Sequence, residues 1–203
     1  MSMQAMEFWY DFASPYSWMA AERIDGLAAA GGLAVHWRPF ILGPILRLRP
    51  DNPSPYQNAP PAQRAYRRRD AERLCASYGL PLRWPSSYPR NGLLGARLAR
   101  VAPPDVRPAL SRAIYRANFV DDREISDATV IGAIVAAQGL DADALLATAL
   151  TDENKRGLVA DVDAAIAHGI FGAPSFRLGT ELFWGNDRLE QAIAWARQPW
   201  LSP

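Results

Sequence analysis

Apolar and polar positions along the chain change their period several times. Glu7 to Phe12 (EFWYDF) is a short aromatic-rich run that predicts a first strand, and Pro15 to Ala30 carries apolar residues at helical spacing. Leu33 to Arg38 (LAVHWR) alternates between two faces and predicts a second strand. Strand, helix and strand in that order make a β-α-β unit, normally right-handed with parallel strands. Seven of the 17 prolines then fall between Pro39 and Pro61. That stretch has no sustained helical period and predicts a connection without a regular element.

Beyond the prolines, apolar spacings of three and four take over. Ala71, Leu74, Cys75 and Tyr78 share one helix face; Leu94, Leu98 and Val101 mark a second helix; Leu110, Ile114 and Ala117 mark a third. Val130, Ile131, Ile134 and Val135 mark a fourth, which starts at Ser126 or Asp127 and stops at Gly139. Cys75 on its apolar face reads as a small core hydrophobe, not a nucleophile. A long helix follows from Asp152, capped by Thr151, to His168, closed by Gly169. His168 sits where a helix C-terminus favours a cation. Ser175 to Leu178 and Glu181 to Trp184, joined by Gly179-Thr180, predict a β-hairpin, and a last helix begins near Asp187.

This order predicts an α/β fold in which the first and last parts share one four-stranded mixed sheet of thioredoxin-like type. Residues 1–41 and 151–203 would form that domain, and residues 42–150 an inserted all-helical block. A chain of 203 residues with 49% apolar content is large enough to bury such a core. With 22 basic against 21 acidic residues it reads as an ordinary folded protein, not a polycation or a disordered tail. No apolar run reaches the roughly 20 residues of a membrane span. Met1 to Tyr10 lacks a basic region followed by an apolar one, so a cytoplasmic address is expected.

A single cysteine excludes an internal disulfide and a Cys-x-x-Cys redox pair, and two isolated histidines, His36 and His168, predict no metal site. Charge is unevenly spread: residues 62–123 hold 13 arginines against 5 acids, whereas residues 124–203 hold 5 basic residues against 11 acids. The middle segment is either a solvated helix surface that pairs with the acidic part or an attractor for an anion.

Three places could carry chemistry. In Asp11-Phe12-Ala13-Ser14-Pro15-Tyr16-Ser17 the serine falls at a helix N-cap and Pro15 at the first helical position. Such a start presents free N–H groups and a positive dipole end that stabilise an anion such as a thiolate, although alone it is also simply a good helix start. Phe171-Gly172-Ala173-Pro174-Ser175 places a proline directly before a strand. In Trp184-Gly185-Asn186-Asp187-Arg188, Asn186 or Asp187 either caps the last helix or forms a second anion site, with the Asp187 carboxylate free to hold an ammonium group.

Together, YDFASPYSW, ANFVDDREISD (residues 117–127), IFGAPSF and ELFWGNDRLEQA resemble the 2-hydroxychromene-2-carboxylate isomerases, relatives of the kappa-class glutathione transferases and of the DsbA-type thioredoxin fold. The resemblance covers nearly the whole chain. It implies a glutathione-dependent isomerase in which Ser14 is the catalytic residue, donating a hydrogen bond to the sulfur of bound glutathione. Ser14-Pro15-Tyr16-Ser17 stands where disulfide oxidoreductases of this fold carry their redox cysteines. It further implies that Ala173, before the family's cis-proline Pro174, pairs its backbone with the cysteinyl part, that Asn186 and Asp187 hold the γ-glutamyl end, and that Asn52 lies near the glycyl end. Relatives often carry Pro-Ala-Lys before the arginine-rich helix, the lysine facing the glycyl carboxylate; here Gln63 occupies that position and brings no charge. The implied substrate is an aromatic conjugated keto acid that exchanges between a closed chromene and an open benzylidene pyruvate. Relatives also imply a homodimer. Two alternatives stay open: a kappa-like transferase that conjugates electrophiles, and a non-catalytic protein binding a small anion or RNA.

Overall fold

The computed structural model describes residues 5–49 and 56–198. Strand β1 (Ala5–Tyr10) leads into α1 (Pro15–Ala30) and returns through β2 (Ala34–Pro39), which pairs parallel to β1 from Ala5↔Ala34 to Tyr10↔Pro39. Helices α2 (Gly43–Arg47), α3 (Pro61–Ser77), α4 (Leu93–Val101), α5 (Arg107–Phe119), α6 (Ala128–Ala137), α7 (Ala142–Ala149) and α8 (Asp152–Ala167) follow. The chain re-enters the sheet as the hairpin β3 (Ser175–Leu178) and β4 (Glu181–Trp184). It closes with a 3₁₀ turn, Asn186–Arg188, and α9 (Leu189–Arg197). β3 runs antiparallel to β1, so the sheet is mixed, in the order β2-β1-β3-β4.

The strand period sorts the core into two faces. Met6, Phe8 and Tyr10 are fully buried on one face, where Phe8 stacks on Tyr10 at 5.0 Å and on Phe176 of β3 at 5.7 Å. Such pairs add about 0.5–1.5 kcal/mol each beyond their area burial. Trp9 points the other way and packs with Phe40, Ile45, Val162, Ala165 and Ile170. The first cluster continues without a break into Leu98, Ile114, Ile131 and Val135 of the helical block. No helix among the described residues is long and apolar enough to cross a membrane.

Caps set the helix starts. Thr151 Oγ1 accepts from the Asn154 N–H at 3.2 Å, and an Asp127 oxygen accepts from Thr129 at 2.7 Å. The first strand runs Ala5–Tyr10 where residues 7–12 were expected, and two further elements were absent from the sequence-based expectation. The proline-rich connection contains α2, whose five residues are too few to show a period. Helix α7 is alanine-rich, so its faces barely contrast; its signal was the Asp141 cap, whose side chain accepts from the Ala144 N–H at 3.0 Å.

Candidate functional site

The loop from β1 to α1 is held from all sides. The buried Asp11 side chain accepts the Ala13 N–H through Oδ1 and the Leu42 N–H through Oδ2, both at 2.7 Å. This fastens the loop to the segment that leaves β2. Burial pushes the Asp11 carboxyl upward while the two N–H donors pull it down, and burial wins. From α5, the Tyr115 hydroxyl donates to the Asp11 carbonyl at 3.0 Å and Asn118 Nδ2 donates to the Phe12 carbonyl at 3.0 Å.

On this loop Ser14 is extended (φ −93, ψ 117) and caps α1, its Oγ accepting from the Ser17 N–H at 3.1 Å. Pro15 opens the helix without losing a bond, because an N–H there has no intrahelical partner. The Ser14 hydroxyl donates its own hydrogen to the Ala173 carbonyl at 3.1 Å. Ala173 is joined to Pro174 by a cis bond, and the Pro174 carbonyl accepts from the Gly185 N–H at 3.0 Å. Gly185 has φ 114, a backbone that side-chain-bearing residues avoid, and this turns the chain from β4 into Asn186.

The structure therefore brings Ser14, Ala173 and Pro174 into one cluster, with the Asn186–Arg188 turn joined to it through Gly185. Of the two readings of this turn, capping is not what Asn186 does: it caps nothing and is 1% exposed. Its Oδ1 accepts from Arg23 at 3.1 Å and its Nδ2 donates to the Tyr78 hydroxyl at 3.2 Å. Arg23 lies over the Tyr78 ring at 3.8 Å and also pairs with Glu190. Asp187 is exposed and 3.1 Å from the guanidinium of its neighbour Arg188.

Gln63 is exposed in the first turn of α3. Residues three and four apart share a helix face, so Gln63, Arg67 and Asp70 form one stripe. Asp70 on that stripe accepts from the Tyr16 hydroxyl of α1 at 3.3 Å. Burial first, and the Asp70 charge second, push the Tyr16 phenol up to about 12. Arg64, next to Gln63, instead donates to the Gln57 carbonyl at 2.9 Å. Asn52 lies outside the described residues. The sequence reading gave no role to Arg67 or Asp70, for which the available signal was the four-residue step from Gln63 to Arg67, nor to Tyr88, which stands within electrostatic range of Tyr16 and Asp11.

A serine-capped helix facing a proline loop at the end of a mixed four-stranded sheet defines a thioredoxin-like protein. The chain belongs to the DSBA-like thioredoxin domain family, whose model matches residues 5–193. It is similar to the 2-hydroxychromene-2-carboxylate isomerase of Sphingobium xenophagum, 27% identical over 189 residues, which covers 92% of this chain and 95% of that one. It is also similar to human glutathione S-transferase kappa 1, 22% identical over 215 residues, covering 98% of this chain and 94% of that one. A solved 2-hydroxychromene-2-carboxylate isomerase has the same fold, with a TM-score of 0.81 at 22% identity over 94% of this chain and 93% of that one. Relatives that span nearly the full chain and are named as isomerase and glutathione transferase support an enzyme.

Proposed function

We propose that the protein is a glutathione-dependent isomerase that interconverts 2-hydroxychromene-2-carboxylate and trans-o-hydroxybenzylidenepyruvate or close analogues. The observation that carries the reading is the pair of hydrogen bonds at Ser14 Oγ: it already accepts from Ser17 and gives its hydrogen to Ala173. A peptide N–H delivered to the Ala173 carbonyl would take over that acceptor and release the Ser14 hydroxyl. Ser14 then donates to a sulfur at the start of α1, where the helix dipole also favours the anion.

The other residues fit a γ-glutamyl tripeptide. Asp187 presents an exposed carboxylate to an ammonium group. Asn186, fixed by Arg23 and Tyr78, holds the turn beside the proline loop. Gln63 offers an amide to the glycyl carboxylate, and Arg67, one turn further along the stripe, supplies the positive charge that Gln63 lacks. When bound, glutathione supplies a thiolate that adds reversibly to the conjugated carbon, allowing rotation about the former double bond. The serine stays a hydrogen-bond donor throughout, since its hydroxyl has no useful ionised state near neutral pH.

The test is product analysis. The protein with the chromene and a trace of glutathione should give the open isomer and return all the thiol. The kappa-class relatives support the second reading, conjugation, under which a stable thioether accumulates and the thiol is consumed. Isomerisation at the same rate without any thiol overturns the proposal.

A further inference from the structure

The segment that carries Tyr88 contains no helix or strand, yet a buried arginine anchors it. Two residues beyond Tyr88, Arg90 is 5% exposed. Its Nη2 meets an Asp122 oxygen at 2.5 Å and donates to Ser86 Oγ at 3.2 Å, and its Nη1 reaches the Arg123 carbonyl at 2.9 Å and Asn118 Oδ1 at 3.4 Å. Asn118 is the residue whose amide donates to the Phe12 carbonyl in the Ser14 loop. At Gly92 a β-carbon would come within 2.9 Å of Phe12 Cβ, so the backbone following Tyr88 lies directly against that loop. Asn118 and Asp122 both belong to ANFVDDREISD, a stretch otherwise without a role in the site.

A buried guanidinium is a poor device for stability, because the desolvation of its charge offsets most of what the pairing returns. What it does provide is position. The position being held is that of a half-buried phenol: Tyr88 meets Tyr56 edge to face at 4.7 Å and Trp84 at 5.1 Å, and it stands within electrostatic range of Tyr16, Asp11 and Arg67. Tyr16 gives its hydrogen to Asp70, whereas Tyr88 meets Tyr56 and Trp84 ring to ring.

We propose that the Tyr88 hydroxyl is the donor that binds the carbonyl oxygen of a conjugated aromatic keto acid next to Ser14, and that Arg90 with Asn118 and Asp122 positions it. This rests on the function proposed above. As the carbon–sulfur bond forms from the sulfur's electron pair, the alkene π pair becomes the enolate double bond and the carbonyl π pair moves onto the oxygen; as the carbon–sulfur bond breaks, each pair returns. Tyr88 keeps its proton in both directions and only strengthens its hydrogen bond while the oxygen is charged. Burial, joined by the negative field of its neighbours, pushes its phenol far above the usual range, so the donor persists at every working pH. Trp84 and Tyr56 supply flat apolar surface for the aromatic ring of the substrate.

The experiment compares wild type with Tyr88→Phe, which keeps the ring and removes the donor. A saturated keto acid that cannot react, labelled with ¹³C at the carbonyl, reports the hydrogen bond by its NMR shift with or without glutathione. The bound shift should move downfield in wild type and revert in Tyr88→Phe, and turnover of the conjugated substrate should fall about 10- to 100-fold. Glutathione affinity by calorimetry should stay within about twofold, since Tyr88 is not assigned to that ligand. Asp122→Asn, which weakens the hold on Arg90 without touching the Ser14 loop, should lose part of the carbonyl shift while glutathione affinity and far-ultraviolet dichroism are retained. An unchanged carbonyl shift, or undiminished turnover, in Tyr88→Phe overturns the assignment. Wild type that binds the labelled keto acid with the shift but ignores glutathione overturns the isomerase reading and leaves Tyr88 as the carbonyl donor.

Discussion

Replacing Ser14 by alanine separates the observed job of its oxygen, capping α1, from the proposed one, donating to a bound thiolate. As a cap, Ser14 Oγ accepts the Ser17 N–H at 3.1 Å, and losing a cap of this kind costs about 1 kcal/mol of stability. As the proposed donor to a bound thiolate it would make a hydrogen bond to a charged group, worth about 1.5–3 kcal/mol. One pKa unit corresponds to about 1.4 kcal/mol, so the thiol of bound glutathione should titrate about one to two units higher in Ser14→Ala. At a pH below that value the thiolate fraction, and the isomerisation rate with it, should fall about 10- to 100-fold. The 16 residues of α1 pack Trp18, Met19 and Ile24 into the core, so the fold survives the lost cap. Thiolate absorbance in the far ultraviolet, titrated in the complex, measures the first effect, and denaturant unfolding measures the second. Ser14→Gly is the control, because glycine at a cap costs only a few tenths of a kcal/mol. It should show the same thiol shift with little loss of stability. A thiol that titrates identically in wild type and in both variants refutes the reasoning.

Other expectations concern the frame around the site. Burial alone would raise Glu7, but donors from Trp9, Arg177 and Arg38 hold it below 4.5, and the Ser86 N–H followed by Arg90 holds Asp122 below 3.8. Carboxyls lowered in the folded state lend stability above their unfolded values that is lost as pH falls through them, so the denaturant midpoint should drop between about pH 5 and pH 3. Asp11, raised by burial, works in the opposite sense and offsets part of the drop; a midpoint that is flat over this range contradicts the pairing. Cys75 is 1% exposed and burial pushes its thiol up to about 11, so at about pH 8 it should resist alkylation until the protein unfolds, and fast labelling of the folded form would refute this. Asn186→Ala leaves Arg23 and Tyr78 without the amide, at a cost of about 1–3 kcal/mol, and should weaken glutathione binding in calorimetry; unaltered affinity would remove Asn186 from the site.

What the sequence shows about this protein divides by distance along the chain. The bounds of α1, β3 and β4 were legible because their signals are local: a serine and proline at a start, a Gly-Thr pair at a turn. Ser14 was legible for the same reason, since a cap bonds three residues away. What escaped is the pairing that is settled by partners far off. Asn186 looks like a cap next to Asp187, but Arg23 and Tyr78, 163 and 108 positions away, claim its amide and draw it inward. Arg64 and Arg67 cannot be ranked by eye, yet α3 turns one toward the Gln57 carbonyl and the other toward Tyr16 and Tyr88. ANFVDDREISD stood out as a motif with no visible chemistry because its acceptors serve Arg90, whose side chain is 28 positions from Asn118 and 32 from Asp122. Local rules decide where an element starts. Buried polar side chains decide what each element faces, because a guanidinium or amide removed from water must find every partner at once and tolerates few arrangements. In this fold that demand ties α5, the Tyr88 loop and the Ser14 loop into a single rigid wall.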